Sequence, residues 1–132
     1  MKLVLVGHGS IGSVYREVIE RNNYEIDDFY IIDPKDLVIK ELEDKKYHCF
    51  KSIDELLEKN LKIDYGIVAN WGPDHIPTAN KLIDLGCKRL IIEKPLSSRK
   101  DQLDIFKKRC LEEDIFVTVH HHWPHTNILE KI

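Results

Sequence analysis

The sequence predicts an α/β domain built on a doubly wound parallel sheet, and three observations carry that expectation. Short apolar runs alternate with amphipathic stretches along the whole chain of 132 residues, the order that gives parallel strands joined by right-handed crossovers. The first apolar run is continuous rather than alternating, as a strand buried on both faces requires. That run, Leu3-Val4-Leu5-Val6, leads straight into Gly7-His8-Gly9-Ser10-Ile11-Gly12, a G-x-G-x-x-G spacing at a strand-to-helix junction.

Each element follows in order. Residues 2–6 form the first strand. Residues 11–22 form a helix with Ile11, Val14, Tyr15, Val18 and Ile19 on one stripe. A second strand, 29–32, ends at Asp33-Pro34; a short helix (37–45) and a short strand (47–51) follow. Ser52-Ile53-Asp54-Glu55 is a capping-box pattern opening a helix over 53–59. The strand 65–69 is broken by Asn70-Trp71-Gly72-Pro73. A helix over 75–85 has Asp74 as its cap and Gly86 as its closing glycine. The strand 89–92 ends at Glu93-Lys94-Pro95, and Ser98 with Asp101 opens a helix over 99–113. The last strand is 115–121; Trp123-Pro124 turns the chain, and a further helix begins at 126–132. There is no internal repeat or low-complexity segment.

Composition narrows the function classes. A hydrophobic content of 42% is enough for one packed core, and a net charge of −3 gives no global attraction to nucleic acid or anionic membrane. No apolar run approaches the roughly 18 residues of a membrane span, and Gly7 cuts the N-terminal run too early for a signal peptide. The expected location is cytoplasmic, without nucleic-acid or membrane partners. Cys49, Cys87 and Cys110 form no C-x-x-C pair, so buried reduced thiols are expected rather than disulfides.

In doubly wound sheets ligands bind outside the carboxyl ends of the strands. The residues of interest therefore sit at strand ends. Gly7 allows the turn, Gly9 lets a pyrophosphate approach the backbone, and Gly12 lets the helix pack close. The helix N-terminus, with His8, Ser10 and Ile11 around it, favours phosphate; the alternative is a βα turn with no ligand. Asp33 stands about twenty residues past the glycines, where a carboxylate accepts both ribose hydroxyls and repels a 2′-phosphate. NAD is thus expected ahead of NADP, with Lys35 able to soften the preference; the alternative for Asp33 is a turn residue before proline. The loop Asn70-Trp71-Gly72-Pro73-Asp74-His75 is either a turn and helix start or a lining for the nicotinamide side, with His75 as a polar contact. Glu93-Lys94-Pro95 follows a buried strand, where a charged pair is costly to bury without partners. It is expected to face the cleft, with Lys94 donating to a substrate hydroxyl and Pro95 fixing the chain; the alternative is a solvated ion pair.

These motifs, in this order and spacing along the whole chain, resemble the Gfo/Idh/MocA oxidoreductases. Glu93-Lys94-Pro95 is the most specific of them. The resemblance implies a Rossmann-type domain holding a nicotinamide cofactor, and hydride exchange on a sugar, cyclitol or related carbonyl compound. It implies that Lys94 contacts substrate and cofactor and assists proton transfer. It also implies that Asn70 to His75 match a family loop, from which Asn70 and Trp71 depart by replacing small residues. Members continue into a sheet-rich second domain that supplies most of the substrate pocket. The domain division expected here is therefore a cofactor domain over 1–122 and the start of a connection over 123–132. A chain of that kind is expected to be weakly active or inactive alone. The alternative is a stand-alone dinucleotide-binding or partner-subunit module, or a remnant that binds nothing.

His120-His121-His122 alternates in direction on a strand, and no Cys or carboxylate is placed to complete a zinc site, so no metal is expected. Under the resemblance, His122 or Trp123 borders the cleft. Trp123, Ile128, Leu129 and Ile132 are expected to expose apolar surface, and with it self-association into a homo-oligomer.

Overall fold

A computed structural model describes residues 1–43 and 45–120. Six strands form one parallel sheet: β1 (Lys2–Val6), β2 (Asp28–Ile32), β3 (His48–Phe50), β4 (Tyr65–Val68), β5 (Arg89–Glu93) and β6 (Phe116–His120). Their spatial order is β3-β2-β1-β4-β5-β6. The order reverses between β1 and β4, which opens a crevice at the carboxyl ends of those two strands. Helices connect them: α1 (Ser10–Arg21), α2 (Asp36–Leu42), α3 (Asp54–Glu58), α4 (His75–Asp84) and α5 (Lys100–Glu112).

The sheet is the centre of two cores. On one face Val4, Ile32, Val68 and Ile92 pack with Leu56, Leu82 and Phe106 from α3, α4 and α5. On the other, Leu3, Leu5, Phe29 and Ile31 pack with Leu42 of α2 and with Tyr15 and Ile19 of α1. The strands are buried on both sides only where both layers exist, in β1, β2 and part of β4. Over β5 and β6 the second layer is missing among the described residues. Ile91 and Phe116 are exposed there, 37% and 68%. A groove of about 750 Å³ results, with Tyr15 and Val18 on one wall and Ile91, Phe116 and Thr118 on its floor.

The expected stripe on α1 is only partly buried. Val14 and Val18 are exposed, Val18 on the wall of this groove, whereas Tyr15 and Ile19 reach the core. The capping box forms: the Glu55 carboxylate accepts from the N–H groups of Lys51 and Ser52, and Ser52 Oγ accepts from Asp54. Two caps differ from expectation. Asp74 makes no side-chain cap bond, because a 3-10 turn over Gly72–Asp74 already supplies the helix entry. Ser97, not Ser98, organises the start of α5, accepting from the Arg99 N–H and donating to Gln102. Cys87 is buried, while Cys49 and Cys110 are half-buried. No helix among the described residues is long and apolar enough to cross a membrane. The second and third histidines of the run, the turn at Trp123 and the apolar residues expected to drive self-association lie outside the described residues.

Candidate functional site

The site grows from the turn between β1 and α1. Gly7 has φ +92°, and a Cβ on it would lie 2.6 Å from the Ala69 carbonyl oxygen. Only glycine fits that position. A Cβ on Gly12 would lie 1.9 Å from the Gly7 carbonyl oxygen, so α1 can sit this close only without a side chain. Gly9 is different: a Cβ there would meet nothing within 4 Å. It is the N-cap of α1 and gives the helix no side-chain cap. The first N–H groups of α1 thus stand beside open space, an arrangement suited to an anion.

Asp33 follows β2 and is 5% exposed. Its carboxylate is held from two sides. Oδ2 accepts from the His8 N–H at 2.9 Å and Oδ1 from the Lys35 N–H at 2.9 Å. The glycine turn and the carboxylate are therefore one rigid unit. His8 Nε2 accepts from Arg16 Nε at 3.0 Å. Burial and then the Arg16 charge lower the His8 pKa, which favours the neutral ring. Lys51, at the rim, is paired with Asp36.

A cleft of about 410 Å³ opens at the carboxyl ends of β1, β2 and β4, lined by Gly7, Gly9, Asp33, Asn70 and Trp71 among others. Trp71 is 72% exposed at its mouth. The Asn70 amide donates to Thr78 Oγ1 at 2.8 Å, while its buried Oδ1 has no partner among the described residues. An orphaned acceptor in a cleft wall is costly unless a ligand donor meets it. The rigid carboxylate, the open helix start and this acceptor together fit an adenosine diphosphate group.

His75 is 1% exposed. Its ring bridges two carbonyl oxygens, Pro95 at 2.8 Å from Nδ1 and Asn70 at 2.9 Å from Nε2. It ties the loop after β4 to the turn after β5. Gly72 lies beside the Pro95 ring rather than in the cleft wall. Ser10 and Ile11 are exposed in the first turn of α1. Glu93 and Lys94 differ in exposure. Glu93 is 7% exposed and hydrogen-bonded to Tyr15 and His120, whereas Lys94 is exposed beyond the end of β5. The Lys94-Pro95 bond is cis. Tyr15 and Thr78 were invisible as site residues in the sequence, since one reads as a core position and the other as an ordinary helix residue.

Comparisons with known proteins agree with this geometry. The model of an oxidoreductase family with an NAD-binding Rossmann fold, Gfo/Idh/MocA, matches residues 1–121. No curated protein matches the chain. Among solved structures, the scyllo-inositol dehydrogenase from Lactobacillus casei with bound NAD(H) and scyllo-inositol is 12% identical, with a TM-score of 0.78, covering 90% of this chain and 35% of that one. The WlbA dehydrogenase from Bordetella pertussis in complex with NADH and UDP-GlcNAcA is 21% identical, with a TM-score of 0.76, covering 89% and 34%. A probable dehydrogenase from Thermotoga maritima is 19% identical, with a TM-score of 0.76, covering 90% and 35%. The chain thus spans about a third of the length of the solved structures it matches. At these identities the likeness shows the fold, and the family match supplies the rest: the chain belongs to the Gfo/Idh/MocA oxidoreductases, as their NAD-binding Rossmann domain.

Proposed function

We propose that the cleft holds NAD as the cofactor half of an enzyme acting on a sugar, cyclitol or related hydroxyl or carbonyl compound. The diphosphate lies against the N–H groups opening α1, over Gly9. The adenosine ribose donates to Asp33, and Asn70 and Trp71 flank the path toward the nicotinamide. Lys94 stands at the reacting end, where its ammonium donates to the substrate oxygen and assists proton transfer. The nicotinamide ring, when bound, supplies the hydride chemistry; the residues orient it. The observation that supports this most is the open space over Gly9 beside a carboxylate locked by two backbone N–H groups.

The substrate class rests on the relatives crystallised with UDP-GlcNAcA and with scyllo-inositol. The preference for NAD over NADP rests on Asp33, whose carboxylate repels a 2′-phosphate; Lys51 is engaged by Asp36, and Lys35 on the same rim can soften the preference. Lys94 is exposed, and an active site open to water loses much of its electrostatic leverage. Turnover therefore needs a further surface over Lys94. A titration with NADH and then NADPH, followed by quenching of tryptophan emission, to which Trp71 contributes, tests the reading. NADH binds more tightly, and Asp33→Ala weakens it roughly tenfold or more, the scale of lost charge-assisted hydrogen bonds, while narrowing the gap to NADPH. Equal or tighter NADPH binding, or indifference to Asp33→Ala, contradicts it.

A further inference from the structure

Two side chains, from α1 and β6, converge on one carboxylate oxygen at the end of β5. Glu93 Oε1, at the end of β5, accepts from the Tyr15 hydroxyl of α1 at 2.5 Å and from His120 Nδ1 of β6 at 2.6 Å. The Tyr15 oxygen lies 2.9 Å from the same ring nitrogen. The sheet does not need this cluster. Glu93 and His120 are already the last register pair between β5 and β6, and an apolar residue at 93 would extend the Leu90-Ile91-Ile92 run without burying a charge. Burial pushes the Glu93 carboxyl up, and the bonds from Tyr15 and His120 outweigh it and hold the group below its ordinary value. Burial and Glu93 also raise the Tyr15 hydroxyl, which stays a donor. A carboxylate only accepts, so the shared geometry places a proton on His120 Nδ1.

The cluster's position suggests its use. Tyr15 belongs to the helix whose first turn faces the phosphate position, and Glu93 is bonded through the backbone to Lys94. The strand ladder ends at Glu93, so Lys94 has no ladder bond to fix it. We propose that Tyr15, Glu93 and His120 form a positioning network that sets Lys94 at the nicotinamide end of the cleft and couples it to the pyrophosphate helix. None of the three is a catalytic residue; they act through Lys94. The inference rests on the reading that the cleft holds a dinucleotide.

The test compares NADH with ADP-ribose, which has the same adenosine diphosphate part but no nicotinamide. The wild-type chain binds both, NADH more tightly. Tyr15→Phe, which keeps the ring, and Glu93→Gln, which keeps the shape, each weaken NADH by about fivefold or more, the scale of coupled polar contacts. ADP-ribose affinity and melting temperature stay close to wild type. His120→Asn, whose amide can replace the Nδ1 donor, retains more NADH affinity than His120→Leu. The double variant Tyr15→Phe/Glu93→Gln loses no more than the worse single one. Equal weakening of both ligands shows a merely structural cluster and overturns the proposal. So does unchanged NADH binding in a stably folded variant, or equal wild-type affinity for the two ligands. Wild-type chain that binds neither ligand overturns the dinucleotide reading itself, and the network's role with it.

Discussion

Gly9 and Gly12 sit three residues apart and differ in what a methyl group would meet. At Gly12 the added carbon lands on the Gly7 carbonyl oxygen, backbone that cannot move without breaking the turn. Gly12→Ala is expected to cost about 3 kcal/mol or more, the upper range for overpacking, read as a lower urea midpoint. At Gly9 the added carbon enters open space, so the fold should ignore it. The spacing of the three glycines already set these roles apart, with Gly12 as the one that lets the helix pack close; what it does not encode is how near the Gly7 carbonyl comes. Asp33 was legible for a better reason: a strand end fixes where its side chain can point. His75 was not. Its neighbours in space, the carbonyls of Asn70 and Pro95, come from two loops whose meeting depends on the completed sheet.

The elements themselves were legible almost throughout, since the apolar runs and the glycine and proline breaks mark β1 to β6 without tertiary information. The misreadings are local. Ser97 and Ser98 are adjacent serines, and only the packed geometry of the loop selects which hydroxyl reaches Arg99. The α1 stripe read as a uniform buried face because periodicity reports which residues share a side, not whether anything covers it. The contrast between covered and uncovered faces has a measurable consequence. Leu82 of α4 is fully buried against the sheet, so Leu82→Ala should lower stability by about 2–5 kcal/mol. Phe116 is 68% exposed on β6, and Phe116→Ser should stay within about 0.5 kcal/mol, as surface changes do. Denaturant curves on the two variants check this; a similar loss in both would mean that the face over β6 is covered in solution.

At the scale of the molecule, the two faces of the sheet divide the work. One carries α3, α4 and α5 and most of the hydrophobic core. The other carries α1 and α2 beside an open groove, with the Tyr15–Glu93–His120 cluster joining α1 to the ends of β5 and β6. The crevice between β1 and β4 lies at the strand ends, where both halves contribute: the glycine turn and Asp33 from one, Asn70 and Trp71 from the other. The family and fold were readable from this chain because its motifs sit at strand ends. A calorimetric titration of NADH into wild type and Gly9→Ala tests whether the turn after β1 is a working cofactor cradle. Saturable binding by the wild type is expected, with a loss of roughly tenfold or more in Gly9→Ala, from a methyl group displacing the diphosphate, and an unchanged melting temperature. Undiminished NADH binding by Gly9→Ala, or no binding by a folded wild type, would contradict that role.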